Sequence, residues 1–318
     1  MRSVGTKRTV VAIVCLLYGG LAAQQKDQSI DFIQLSDTHV VDLHGVAPAL
    51  FKARQHLAGA ERRLAAFLAQ PPVAASFVLI TGDLTDAFRF TAPDGGVVGG
   101  QTEAFRRAVA QTRIPLYLTL GNHDIEQYRV APDGIKAAGD QWLAGAARAY
   151  WTRTMECFGK GTYYEFAKQV GRTRYVFLML DDGYVATGSI EHPAVTIAHE
   201  QLYWLRKRAE ANAGAVLVLA MHIPIGTNAN SQAIRQAVES APNVALVLVG
   251  HNHRDQIDDL DLGASRAVQV RTAALGYGAG NWRRIRLLEG RIEVYETGSK
   301  TKVVRSIRLS AVAKRPAA

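Results

Sequence analysis

The sequence predicts an α/β layered domain. Three observations predict it: short runs that are apolar on consecutive positions, helical stripes between them, and strands in series over the last third. Unbroken apolar runs suit strands buried on both faces, whereas alternation suits strands with one wet face.

Residues 32–35 form the first run. Residues 47–70 carry Leu50, Ala53, Leu57, Ala60, Leu64 and Phe67 at helical spacing, and Pro71-Pro72 closes that helix. Residues 77–80 and 116–120 read as the second and third strands, with a helix over 103–111 between them. Further strands are expected at 175–180, 215–220 and 244–249. Residues 163–166 pair with 175–180 in a hairpin around Gly171. Residues 267–275, 283–288 and 291–296 read as strands in series, with Glu289-Gly290 at a turn, so antiparallel strands are added at the C-terminus. Two insertions, 88–101 and 125–160, are open between pocket-shaping loops and plain surface elaboration.

The chain has 318 residues, 48% apolar and 20% charged, which excludes collagen, coiled coil and wholesale disorder. No apolar run reaches the roughly 18 residues that a membrane span needs. Two cysteines, Cys15 and Cys157, make no disulfide scaffold. Arg2, Lys7 and Arg8 precede an apolar stretch over 10–18 and the small-residue exit Gly19-Gly20-Leu21-Ala22-Ala23. This pattern predicts a signal peptide over 1–23 and export to a periplasmic or secreted location, with an uncleaved signal anchor as the alternative. A folded domain over 24–308 and a frayed tail over 309–318 follow. The net charge is +9, and removing residues 1–23 with their three basic side chains leaves +6. That mild excess is open between ordinary solvated arginines and attraction of phosphate-bearing substrates or anionic surfaces. No nucleic-acid-binding motif accompanies it.

The chemistry lies at the strand ends. Five apolar runs lead into polar clusters: Ser36-Asp37-Thr38-His39, Gly82-Asp83-Leu84-Thr85-Asp86, Gly121-Asn122-His123-Asp124, Met221-His222-Ile223-Pro224 and Gly250-His251-Asn252-His253. The carboxyl ends of parallel strands share one edge of a sheet, where ligands bind. Imidazole mixed with carboxylate and amide oxygen indicates metal, and this many donors suit two ions better than one. Asp37 and His39 are two apart, as are His251 and His253, so an extended segment would project each pair to one side. Gly82, Gly121 and Gly250 precede donors and permit sharp turns or close approach.

These five blocks, in this order from Asp37 to His253, resemble the calcineurin-like metallophosphoesterase superfamily. The resemblance implies a layered β-sandwich of two mixed sheets flanked by helices. It implies that Asp37, His39, Asp83 and His253 hold one metal and that Asp83, Asn122, His222 and His251 hold the other. Asp83 then bridges the two ions, which are Mn, Fe, Zn or Co. His123 matches the histidine that assists the leaving group, and Asp124 its acidic partner, which would orient it. The implied reaction is hydrolysis of a small phosphate ester by attack of a metal-bridged hydroxide on phosphorus. Asp37-Thr38-His39 differs from the purple acid phosphatase branch and looks more like the cyclic-nucleotide and glycerophosphodiester phosphodiesterases. His222-Ile223-Pro224 departs from the His-His-Pro of several of those enzymes. A phosphodiesterase is therefore expected, with a phosphomonoesterase of the same fold or a non-catalytic metal-binding relative as alternatives. The sequence does not specify an oligomeric state.

Overall fold

The computed structural model describes residues 29–309, except 45, 111, 132–133, 139–140 and 184–194. The expected signal peptide, and the tail beyond Leu309, lie outside the described residues.

Two six-stranded mixed sheets face each other. The first has the order β16-β15-β14-β1-β2-β5, formed by β1 (Ile30–Leu35), β2 (Val78–Thr81), β5 (Leu116–Thr119), β14 (Arg283–Leu288), β15 (Arg291–Tyr295) and β16 (Val303–Arg308). Strands β1, β2 and β5 are parallel, while β14, β15 and β16 add antiparallel at the far side of β1. The second has the order β12-β13-β11-β10-β9-β8, with β8 (Tyr164–Val170), β9 (Thr173–Met179), β10 (Val216–Ala220), β11 (Val244–Val249), β12 (Gln256–Asp261) and β13 (Arg266–Arg271). Its central strands β9, β10, β11 and β13 are parallel.

The inner faces of both sheets supply one core. Phe32 and Phe77 from the first sheet stack at 4.7 Å, and both meet Phe177 of the second edge-on at 5.6 Å. Burying each such side chain contributes about 1.5–3 kcal/mol. The outer faces of the parallel strands are covered by helices, which explains their unbroken apolar runs. Leu64 and Phe67 of α2 (Ala60–Ala69), Phe105 of α3 (Gln101–Val109) and Trp151 of α4 (Gln141–Thr154) pack on the first sheet. Leu205 of α5 (His199–Ala211) and Ile234 of α6 (Ala229–Val238) pack on the second.

The structure corrects three details. The stripe over 47–70 is not one helix: α1 (Pro48–Arg54) leads into a single 3-10 turn, and the chain breaks at Gly59, whose φ is +86°, before α2 begins. Strands β12 and β16 were not expected; the first is acidic and the second lies at a sheet edge. The two insertions are not free loops. They pair as a third, four-stranded sheet, β4-β3-β6-β7, built from β3 (Arg89–Thr91), β4 (Val97–Val98), β6 (Gln127–Ala131) and β7 (Gly134–Ala137). Phe90 and Val130 of this sheet pack with Leu50 and Leu57.

Candidate metal centre

The parallel strands of both sheets point their carboxyl ends at one place. Just past those ends the backbone turns sharply. Asp37, His39, Asp83, His251 and His253 have φ of 50°, 42°, 48°, 72° and 56°, and they are the only non-glycine residues with positive φ among the described residues. The donors are therefore not presented by extended segments, as their spacing suggested, but by left-handed kinks. Such conformations cost on the order of 1–3 kcal/mol each and persist where surroundings over-determine them. Here Asp37 N–H donates to Gly82 O (3.0 Å) and His39 N–H to Asp83 O (2.9 Å). Leu275 N–H donates to Ser36 O (3.0 Å) and Gly276 N–H to Asp37 O (2.9 Å).

Glycine is required at two neighbouring positions. Gly82 has φ +74°, and a Cβ there would lie 2.6 Å from Cβ, Cγ and Nδ1 of His222. A Cβ on Gly250 would overlap the Ser36 hydroxyl and an oxygen of Asp37. These close approaches let loops of the two sheets interleave.

The side chains converge in overlapping sets. Donor atoms of Asp37, His39, Asp83 and His253 lie within 4.8 Å of one another, as do those of Asp83, His222 and His251. His253 Nε2 is 3.3 Å from Asp37 Oδ1, and His39 Nε2 is 3.7 Å from Asp83 Oδ2. His222 Nε2 is 3.2 Å from that same Asp83 oxygen. Asn122 Oδ1 lies 3.1 Å from His251 Nδ1, which places it beside the second set. Asp83 belongs to both sets, and all seven expected ligand residues are brought together.

Several features fit this donor set to metal ions. His39 Nε2 and His253 Nε2 face each other at 2.9 Å, and His222 Nε2 faces His251 Nδ1 at 3.2 Å. Ring nitrogens this close share either a proton or a metal ion. The buried His251 Nε2 has no hydrogen-bond partner. His222 Nδ1–H donates to Thr81 O at 2.8 Å, which fixes the tautomer and turns the Nε2 lone pair toward Asp83. The Asp182 carboxylate accepts the His222 and Ile223 N–H groups at 2.9 and 2.8 Å and anchors that loop.

The electrostatics agree. Burial acts to raise the Asp83 carboxyl, but His222 and His123 hold it well below the usual carboxylate range. Burial opposes charge on His222, yet Asp83 and Asp37 push it up to about 10. Burial, reinforced by the charge on His222, pushes His251 down to about 4. The cluster thus favours a positive charge at its centre, and a metal ion held there would have to displace the proton from His222.

His123 lies beside the donors. Its N–H donates to Asp83 Oδ1 at 3.0 Å, and its ring meets His39 edge-on at 4.9 Å. The structure corrects its expected partner. Asp124 does not touch the His123 ring; its carboxylate accepts the N–H groups of Gly121, Leu84 and Thr85 at 2.8, 3.1 and 2.9 Å. It sits under the loops as a fully buried brace, and burial with the charge of Asp83 pushes it up to about 7. Asp86 takes the orienting place: His123 Nδ1 is 2.8 Å from Asp86 O and 3.9 Å from Asp86 Oδ1. Asp86 Oδ1 also lies 3.5 Å from His39 Nδ1, and Arg54 Nε donates to Asp86 Oδ2 at 2.5 Å.

Sequence reasoning missed Arg54 and Tyr277, and placed Tyr128 only within the 125–160 insertion, open as pocket-shaping. Tyr128 lies over His123 at 5.7 Å, and Arg54 lies over Tyr128 at 5.8 Å. Tyr277 lies 4.8 Å from the His253 ring. No local motif marks any of them. The exposed His56 ring lies nearly parallel to Tyr277 at 5.6 Å.

Two opposed sheets carry a cluster of metal-ligating residues at their common edge, the architecture of a metal-dependent phosphoester hydrolase. The calcineurin-like phosphoesterase family matches residues 30–255, and the chain belongs to that family. A dimetal phosphatase from Danio rerio is similar in structure, with a TM-score of 0.58 at 14% identity over 88% of this chain and 99% of that one. GAP50, the inner-membrane-complex anchor of Plasmodium, aligns at a TM-score of 0.49 and 11% identity over 88% of each chain. At such identity the first likeness shows the shared fold. No curated protein matches the chain.

Proposed function

We propose that this chain is an exported two-metal phosphoesterase acting on small phosphate esters, with diesters preferred. The observation that carries the reading is Asp83, buried, with one carboxylate shared by two donor sets. Asp37, His39, Asp83 and His253 would hold one ion; Asp83, Asn122, His222 and His251 would hold the other. When bound, such a pair supplies Lewis acidity to the phosphoryl oxygens and an acidified water as nucleophile. A mixed N/O donor set suits Mn, Fe, Zn or Co.

The chain's own residues do the rest. His222 is aimed by Thr81 O and by the backbone contacts to Asp182. His123 donates its Nδ1 proton to Asp86 O, which leaves Nε2 to exchange a proton with the leaving oxygen. Asp86, paired with Arg54, steadies His123 and His39 together. The diester preference rests on the Ser36–His39 and Gly82–Asp86 motifs. Export rests on the basic and apolar pattern of residues 1–23; no helix among the described residues is long and apolar enough to cross a membrane.

The test is side-by-side hydrolysis of bis-p-nitrophenyl phosphate and p-nitrophenyl phosphate by residues 24–318, each metal being added after chelation. Metal-dependent turnover of the diester supports the proposal. Turnover of the monoester alone replaces it with a phosphatase. Absence of both turnover and bound metal overturns it. Fractionating cells that express the full chain, with mass spectrometry of the N-terminus, tests export. Retention of residues 1–23 on cytoplasmic protein would overturn that part.

A further inference from the structure

We propose that a buried polar chain beneath the metal centre, Gln34–Thr272–Arg283–Asp255, is the positioning device that holds the ligands of the two sheets in register. The inference rests on the two-metal reading above and adds to it residues that are not themselves ligands.

Gln34 is fully buried in β1, three residues before Asp37. Its side chain reaches strands of both sheets. Nε2 donates to Val249 O of β11 at 3.0 Å and lies 3.4 Å from Thr81 Oγ1 of β2. Oε1 accepts from Thr272 Oγ1, just past β13, at 2.9 Å. Val249 leads into Gly250-His251, Thr81 leads into Gly82-Asp83, and the strand of Gln34 itself leads into Asp37 and His39. One amide thus joins three of the strands that deliver ligands. Thr81 extends the contact to a fourth, since its carbonyl accepts His222 Nδ1–H at 2.8 Å.

Arg283 lies opposite Gln34 in the β1–β14 register and is only 3% exposed. Its Nε donates to Thr272 Oγ1 at 3.3 Å, Nη1 to Tyr295 O at 2.6 Å and Nη2 to Asp255 Oδ1 at 3.0 Å. The same Asp255 oxygen accepts the Ala273 N–H at 3.0 Å and the Thr297 hydroxyl at 2.7 Å. The loop that bears His251 and His253 is therefore clamped at both ends, at Val249 by Gln34 and at Asp255 by Arg283. None of Gln34, Thr81, Thr272 and Arg283 is left with an unpaired buried side-chain N or O except through these bonds.

The neighbouring inner face is apolar. Two residues along the same strands, Phe32 and Ile285 point into the core between the sheets. Apolar residues at 34 and 283 would continue that core with no charge to bury. A buried ion pair is weak ground for stability, because well-packed apolar residues often serve as well. Its best-attested use is to fix register. The register fixed here is that of the metal ligands.

The test uses the chain loaded with manganese. Two manganese ions that share a carboxylate are exchange-coupled, and their electron paramagnetic resonance spectrum reports the geometry between them. Gln34→Met and Arg283→Met keep much of the side-chain length and remove its hydrogen bonds. Each is expected to weaken manganese binding by about 10–100-fold, the usual effect of losing a group that orients ligands, and to alter the spectrum at full occupancy. At saturating metal, kcat should fall while KM stays near the wild-type value. The double variant should lose no more than the larger single one, because both act through one chain. Thr272→Val removes only the hydroxyl between the two and should change the spectrum in the same way, so the test stands even where a methionine variant does not fold. Phe32→Leu, on the same strand face, is the control for lost stability alone: it should lower Tm and leave manganese affinity and spectrum unchanged. Folded variants with wild-type affinity and spectrum overturn the inference and leave the two-metal reading standing. A spectral change reproduced by Phe32→Leu also overturns it. A wild type that binds no manganese overturns the two-metal reading, and the inference with it.

Discussion

Replacing Gly82 by alanine probes how tightly the two sheets hold the site. Gly82 has φ +74°, a conformation that costs an L-residue roughly 1–2 kcal/mol. The new Cβ would lie 2.6 Å from three atoms of His222. Ordinary contact begins at 3.4 Å, so the side chain must retreat by about 0.8 Å. His222 is fully buried and held by its bonds to Thr81 O and Asp182 at 2.8 and 2.9 Å, so retreat is opposed on both sides. Overpacking of this kind costs about 1–3 kcal/mol. Strain and overpacking together come to about 3 kcal/mol, which lowers Tm by roughly 6–12 °C for a domain of this size. Metal affinity should fall by about 10–100-fold, as when the groups that orient a ligand are lost. Gly95→Ala is the control: φ is +86°, with nothing within 4 Å of the added carbon. It should carry the backbone strain alone, with metal content intact. Differential scanning fluorimetry of the metal-free proteins and metal titration of both read the result. If Gly82→Ala melts and binds metal like Gly95→Ala, the close approach of Gly82 to His222 does not exist in solution.

Three further outcomes are expected. His123→Ala should lower turnover by about 10²–10⁴-fold, the usual worth of general acid help, while metal analysis shows normal content; intact turnover would remove His123 from proton transfer. Asp86→Asn should lower kcat by about 10–100-fold by loosening His123 and His39 and freeing Arg54; a kcat within twofold of the wild type would leave another group orienting His123. Metal uptake at pH 8 should release at least one proton, because His222, held up to about 10 by Asp83 and Asp37, must lose its proton to coordinate, and a metal-acidified water adds to the count. Affinity should therefore rise with pH, by about tenfold per unit while that proton is displaced. Calorimetry in buffers of different ionisation enthalpy counts the proton, and finding none would contradict the charge balance of the site.

The parts of the site that were legible in sequence are those that sit where a strand ends. A buried parallel strand must be apolar, so an Asp, Asn or His directly after it stands out, and five such clusters in order located every proposed ligand. Their local geometry was not legible. Asp-Thr-His at spacing two reads as extended backbone, yet the chain makes left-handed kinks because backbone bonds from Gly82, Asp83 and Leu275 over-determine them. Asp124 adjoins His123 in sequence but faces the opposite way, into the N–H groups of residues 84, 85 and 121. Asp86 carries the orienting contact from another loop. Arg54, His56 and Tyr277 reach the site from segments with no polar cluster, joined only by tertiary packing. The same limit applies to the fold. The stripe over 47–70 satisfies helical periodicity on both sides of Gly59, and only the local turn shows the break. Strand β12 pairs at a sheet edge with an acidic sequence that carries no apolar run.

The central claim is that one buried carboxylate, Asp83, joins two metal positions. The most direct measurement is metal content per chain, by mass spectrometry of dialysed protein after loading, for the wild type and Asp83→Ala. The account predicts two ions for the wild type and loss of both from the variant, with circular dichroism confirming that the variant is folded. A wild type that holds no metal, or a folded Asp83→Ala that keeps two, would contradict it.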